Sequence, residues 1–354
     1  MIRKLVALTF LISFIPLESN AGFDYFFKPR SYILLTGSST ISPLAAAISE
    51  EFSRTQNLQN SPVKTPVVES TGTGEGFRLF CNGTGRNHPD FVNASRQIED
   101  NELKKCSKNG VNGVVEIKIG YDGIVIGNSI NSSKFNLSKE QIFAALAQKI
   151  FDEKSEKFVN NPYKKWSEID PSLPETEILV FGPPLTSGTR DIFNELLMES
   201  ACFAKKEFVD AYEDGELRRK ICRNIRDDGA FIASGENDNL IIQNLKNNPN
   251  ALGIFGFNFL VTNQTVMQAA QVENVAPSFE SIASKQYPLS RPLFIYFKKE
   301  HLDLIPKMRE FVNEIISAET LGSNGYLLHN GLIALTDDEL NQVRKAVSSQ
   351  LKKD

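Results

Sequence analysis

EILVFGPPLTSGTRDIF, residues 177–193, is the stretch whose reading decides the fold. Ile178 to Phe181 form a short apolar run closed by Gly182 and Pro183, the pattern of a buried strand. Ser187, Gly188 and Thr189 follow, and Arg190 and Asp191 open a helix that turns Phe193, Leu196 and Leu197 to the core. Glycine lets backbone approach a ligand, and Ser and Thr add hydroxyl donors. A helix start contributes free N–H groups and the positive end of its dipole. Arg190 brings a planar fork suited to an oxyanion. Asp191 either holds that guanidinium or favours the helix N-terminus.

The same design recurs twice upstream. Gly37-Ser38-Ser39-Thr40 follows the apolar run 32–35 and precedes a helix with Leu44, Ile48 and Phe52 on one face. Ser42-Pro43 reads as an N-cap with proline at the first helical position. Ser70-Thr71-Gly72-Thr73-Gly74 follows the run 65–69, and its glycines suit an anion nest. Phe77 stands where GxGxxG needs its last glycine, and GxxxxGK[ST] is absent, so a nucleotide-binding fold is disfavoured. Further strand-like runs lie at 114–119, 124–126, 252–257 and 293–297. Ser138…Gln141 and Thr336…Glu339 read as capping boxes. Alternating strands and helices predict an α/β protein of two lobes with mainly parallel sheets. Ligands in such sheets sit beyond the carboxyl ends of the strands, where these loops fall.

Other polar clusters are less decisive. Arg96, in Asn93-Ala94-Ser95-Arg96, is a candidate second cation. Tyr121-Asp122-Gly123 reads as a turn, and Gly235-Glu236-Asn237-Asp238-Asn239 as a helix cap with a solvated first turn.

Arg3 and Lys4, an apolar run to Leu17 and the small residues Ser19-Asn20-Ala21 predict a cleavable secretory signal over residues 1–21. The mature chain is then expected to start at Gly22 and work outside the cytoplasm. Formal charge is −4, with no basic stripe, so nucleic acid is not an expected partner. Anion affinity in such a chain must be local. Cys81, Cys106, Cys202 and Cys222 are an even set in an exported chain, hence disulfides. Cys81–Cys106 and Cys202–Cys222 are the favoured pairing because each closes a short loop. His88, His301 and His329 are scattered and CxxC is absent, so no metal or other cofactor is expected. GxSxG and a recognisable triad are also missing, so catalysis is not expected.

The chain resembles the periplasmic phosphate-binding proteins that feed phosphate ABC transporters. The matching stretches are GSSTISP (37–43), ESTGTGEGFRLFC (69–81), NASRQI (93–98), KIGYDGIVI (118–126), FGPPLTSGTRDIF (181–193), GENDNLIIQNL (235–245), ALGIFGF (251–257) and YPLSRPLFIY (287–296), in family order. The resemblance implies a type 2 two-lobed binding protein with two crossover strands and a cleft closing over one phosphate. With boundaries near 128–133 and 275–286, residues 22–127 and 275–354 form lobe I and 128–274 lobe II. The ligands it implies are Ser39, the Thr40 amide, Thr73, Ser187, Gly188 and Thr189, with Arg190 as the arginine. Its partners are inorganic phosphate and a membrane permease, with the protein itself expected to be a monomer. One departure matters: Arg96 stands where the best-known branch has an aspartate that accepts the phosphate's proton and rejects sulfate. Asp122, Glu236 or Asp238 must then supply the acceptor, or selectivity is weaker. Alternatives are a receptor for another tetrahedral oxyanion, a secreted phosphomonoester hydrolase on the same scaffold, and a surface interaction protein.

Overall fold

Val114–Ser129 forms one unbroken strand of 16 residues, and the rest of the sheet is arranged around it. The computed structural model describes residues 30–235 and 237–352. The expected signal segment, residues 1–21, and the candidate acceptor Glu236 lie outside the described residues.

In chain order the main strands are β1 (Leu34–Gly37), β2 (Val67–Ser70), β3 (Phe91–Ala94), β4 (Val114–Ser129), β5 (Val180–Gly182), β6 (Phe231–Ala233), β7 (Leu252–Gly256), β8 (Met267–Ala269) and β9 (Ser290–Lys298). They make a nine-stranded sheet in the order β2-β1-β3-β9-β4-β7-β5-β6, with β8 also paired to β4. β1 runs parallel to β2 and β3 at one end, and β5 runs parallel to β6 and β7 at the other. The centre is antiparallel. β9 pairs with residues 114–123 of β4, whereas β7 and β8 pair with its remainder, 124–129. The mixed α/β class therefore matches the expectation.

The sequence reads Tyr121-Asp122-Gly123 as a turn, and this is corrected. All three residues are extended, because Pro292, Arg291 and Ser290 of β9 lie opposite them in the ladder. Gly120 makes the passage possible: its φ is +154°, and a Cβ there would lie 2.6 Å from the Ile333 carbonyl oxygen.

The helices that frame the site are α1 (Ser42–Leu58), α2 (Thr73–Phe80), α3 (Gly188–Phe193) and α4 (Asp238–Asn247). α1 carries Leu44, Ile48 and Phe52 into the core, as its periodicity predicts. Its cap differs from expectation. Ile41 is the N-cap, and the Ser42 hydroxyl donates back to the Ser38 carbonyl at 2.9 Å. α3 continues into a π-helical turn, Asn194–Glu199. Both expected capping boxes are present, at Ser138/Gln141 and Thr336/Glu339.

Both expected disulfides form, Cys81–Cys106 and Cys202–Cys222. The first is buried in a small core with Phe77, Phe80 and Tyr296. Beneath β3 lies a fully buried polar pair, His301 Nδ1 to Asp90 Oδ1 at 2.6 Å. The Gly85 amide donates to His301 Nε2 at 3.0 Å, so the proton between His301 and Asp90 sits on the Nδ1 side. Asp90 Oδ2 accepts the Leu34 amide at 2.8 Å and so fixes the start of β1.

Candidate functional site

Numbered in chain order, the first loop (37–40) and the third (187–190) are placed against one cavity of about 370 Å³ by the carboxyl ends of β1 and β5, with 70–74 as the second. Thr40, Asp122, Ser187, Gly188, Thr189 and Asp238 line it. Each position follows from local structure. Gly37 ends β1 with φ +129°, where a Cβ would lie 2.1 Å from the Asn93 carbonyl oxygen, so only glycine lets the chain turn toward Thr40. Ser187 caps α3: its Oγ accepts the Thr189 amide at 3.2 Å and keeps its own proton free to donate. Gly188 comes within 3.7 Å of Thr40 Cα when a Cβ is built on it, so the two loops touch.

Asp122 is one of two acids that line the cavity. Its carboxyl is pushed up to about 6, first by burial, with Glu195 adding and with Arg291 and the Gly123 amide opposing. Its Oδ2 is buried without a hydrogen-bond partner. Asp238 also faces the cavity, contrary to the solvated first turn expected of it. It is 6 % exposed and accepts the Gly256 amide at 2.8 Å, which ties α4 to the end of β7. Asn237 is the α4 cap, accepting the Asn239 amide.

Four candidates do not line the cavity. Ser39 donates its hydroxyl to Asp191 Oδ2 at 3.2 Å, across from the third loop. Thr73 shares a 3.1 Å hydrogen bond with Ser95 Oγ. Arg96 is engaged by Glu102 through both Nη atoms at 2.9 Å and lies over the Phe77 ring. Arg190 is 5 % exposed, with Nη1 donating to the Pro183 carbonyl at 3.1 Å and its guanidinium 4.7 Å from the Phe231 ring centre. Burial pushes it down to about 10, against the pull of Asp191, and Nε has no partner.

The second loop also behaves differently from an open nest. The Thr71 and Gly72 amides both donate to the Gly37 carbonyl, at 2.9 and 2.8 Å. Gly76 lets α2 press on β1: a Cβ there would be 2.6 Å from Gly37 Cα.

Sequence reasoning missed Arg291. It is 6 % exposed on β9, directly opposite Asp122 in the ladder. Its Nη2 donates to Thr40 Oγ1 at 3.0 Å, its Nη1 to Glu195 Oε2 at 2.6 Å, and its Nε lies 4.0 Å from Asp122 Oδ2. A single arginine inside the apolar run SRPLFIYF is the signal that marks it.

Two parallel sheet ends sharing one central strand, with donor loops converging on a half-buried acid, define a ligand-binding α/β protein. The chain belongs to the PBP superfamily, whose domain matches residues 28–319. It is 29 % identical over 294 residues to the protein SphX of Synechococcus elongatus, covering 80 % of this chain and 73 % of that one. It is 30 % identical to SphX of Synechocystis, covering 79 % and 73 %. The phosphate-binding protein PstS of Staphylococcus haemolyticus is 28 % identical, covering 78 % and 73 %. In fold it matches the crystal structure of a possible phosphate binding protein from Planctomyces limnophilus. The TM-score is 0.70 at 24 % identity, over 92 % of this chain and all of that one. No helix among the described residues is long and apolar enough to cross a membrane.

Proposed function

We propose that this chain is an extracytoplasmic receptor for inorganic phosphate that hands its cargo to an ABC transporter permease and performs no chemistry on it. The observation that carries the reading is the cavity where Thr40, Ser187, Gly188 and Thr189 meet the half-buried acid Asp122. Neutral hydroxyls and helix-start amides replace the hydration shell of a small oxyanion. Arg190, packed under the third loop, supplies positive charge from behind. The PstS and SphX relatives support the choice of phosphate.

Asp122 takes the acceptor role on this reading. Its unpaired oxygen can accept a hydrogen bond from the O–H that phosphate still carries at neutral pH, and sulfate has none to give. Asp238 has one oxygen committed to the Gly256 amide and ranks behind it. Arg96 is assigned to the Glu102 pair rather than to the anion.

Lobe I, residues 22–127 and 275–354, and lobe II, 128–274, close over the ion. Ser39 to Asp191, Arg291 to Glu195 and Asn258 to the Leu332 carbonyl are among the contacts between them. Calorimetric titration of the purified protein with phosphate and, separately, with sulfate tests the reading. Phosphate is expected to bind at least about 100-fold more tightly. Equal affinities would refute a phosphate receptor, and turnover of a chromogenic phosphate ester would move the protein to a hydrolase.

A further inference from the structure

We propose that Arg291 keeps the Asp122 carboxyl ionised in the cavity and thereby sets the preference for an oxyanion that carries a proton. The discrimination part of this inference rests on the phosphate reading above. The positioning part rests on geometry alone.

Three observations place Arg291 in this role. First, it is buried and lies opposite Asp122 in the β4–β9 ladder, so the backbone itself fixes their approach. Second, its fork is held on both sides, by Thr40 Oγ1 at 3.0 Å and by Glu195 Oε2 at 2.6 Å. The guanidinium cannot swing away without breaking both. Third, the facing atoms are both unsatisfied: Arg291 Nε and Asp122 Oδ2 are buried, lack hydrogen-bond partners and stand 4.0 Å apart. That is too long for a hydrogen bond but close enough for strong Coulombic attraction away from bulk water.

The charged and titratable groups around Asp122 pull in opposite directions. Arg291 on β9 favours the carboxylate, and Glu195 on the π-helical turn opposes it. Asp238 and His329 line the same cavity. An ionised Asp122 accepts a hydrogen bond and repels an anion with no proton to offer. A protonated Asp122 donates instead and tolerates such an anion. The cation that decides between the two states therefore decides selectivity, although its two Nη atoms are occupied elsewhere. Glu195 tempers this effect, since it shares the guanidinium and adds its own negative charge.

The test has two independent arms on the purified, anion-free protein. Carbon-13 NMR titration follows the Asp122 carboxyl in wild type, Arg291→Met, Arg291→Lys and Glu195→Gln. Arg291→Met is expected to raise the midpoint by about 1 pH unit or more. Arg291→Lys keeps the charge and should hold it within about 0.5. Glu195→Gln is expected to move it the other way, downward. An unchanged midpoint in Arg291→Met overturns the proposal, as does an upward shift in Glu195→Gln. If Arg291→Met does not fold, Arg291→Gln is titrated in its place, and an unchanged midpoint there overturns the proposal. In the second arm, calorimetry at pH 7 compares phosphate with sulfate. Arg291→Met should narrow their affinity ratio by about tenfold or more, chiefly by strengthening sulfate. A ratio equal to that of wild type overturns the selectivity role. Failure of the wild-type protein to bind phosphate refutes the receptor reading, while the NMR arm still judges Arg291.

Discussion

Gly76→Ala isolates the close approach that aligns the first two loops. A Cβ at Gly76 would lie 2.6 Å from Gly37 Cα, 2.9 Å from Val92 Cγ2 and 3.2 Å from Gly37 N. Ordinary contact begins at 3.4 Å, so α2 must move back by most of an ångström from backbone atoms that have no rotamer to adopt. Overpacking of this kind costs about 1–3 kcal/mol, against about 0.5–1 kcal/mol gained by replacing a helical glycine with alanine. The net expectation is a loss of about 1–2 kcal/mol, or roughly 2–4 °C in the thermal midpoint. Gly74→Ala is the control, because nothing lies within 4 Å of its Cβ position. That variant should gain about 0.5–1 kcal/mol. The displacement also reaches the site, since the Gly37 carbonyl holds the Thr71 and Gly72 amides just before Thr40. Phosphate affinity should fall about tenfold, the equivalent of one lost hydrogen bond. Urea unfolding and calorimetry on both variants measure this. A Gly76→Ala protein as stable and as tight as wild type would refute the reasoning.

Other perturbations address other links. Arg190→Met removes a buried cation beneath the third loop and should weaken phosphate by at least about 100-fold in calorimetry, with the fold retained. Glu339 sits at about 2: burial raises it, but Lys118 Nζ at 2.7 Å and the Tyr121 hydroxyl at 2.6 Å more than offset this. A depressed carboxyl stabilises above its unfolded value and loses that contribution as pH falls through its folded value. Wild type should therefore lose more stability than Glu339→Gln between roughly pH 4.5 and 2, read by acid unfolding. Replacing Cys202 and Cys222 together by alanine should cost about 3 kcal/mol in denaturant unfolding, for a loop closed over 20 residues.

Much of this architecture was legible in local signals. Strand, Gly/Ser/Thr loop and helix follow one another at 37–42 and 182–188 because each needs a handful of neighbouring residues. The two disulfides were legible because short loops are the easiest to close. Asp122 and Arg291 were not. Asp-Gly is a turn signal in isolation, but pairing with β9 extends the chain there, and β7 takes over from Ile124. Arg291 has a role through register with a residue 169 positions away, which no local pattern encodes. The same holds for Arg96: its sequence neighbours suggested an anion ligand, while Glu102 and Phe77 occupy it. Gly76, two residues beyond the loop read as a nest, serves the packing of one backbone on another.

β4 belongs to both ends of the sheet, and Asp122 stands next to the place where its partners change from β9 to β7. On the proposed reading, the residue that judges the cargo thus also belongs to the strand that both ends of the sheet share. On that reading, substitutions at Asp122 and Gly123 should alter ligand preference and the β4–β9 pairing together. Lineages that retune one of these traits should carry compensating changes on β9 or β7, not in the loops.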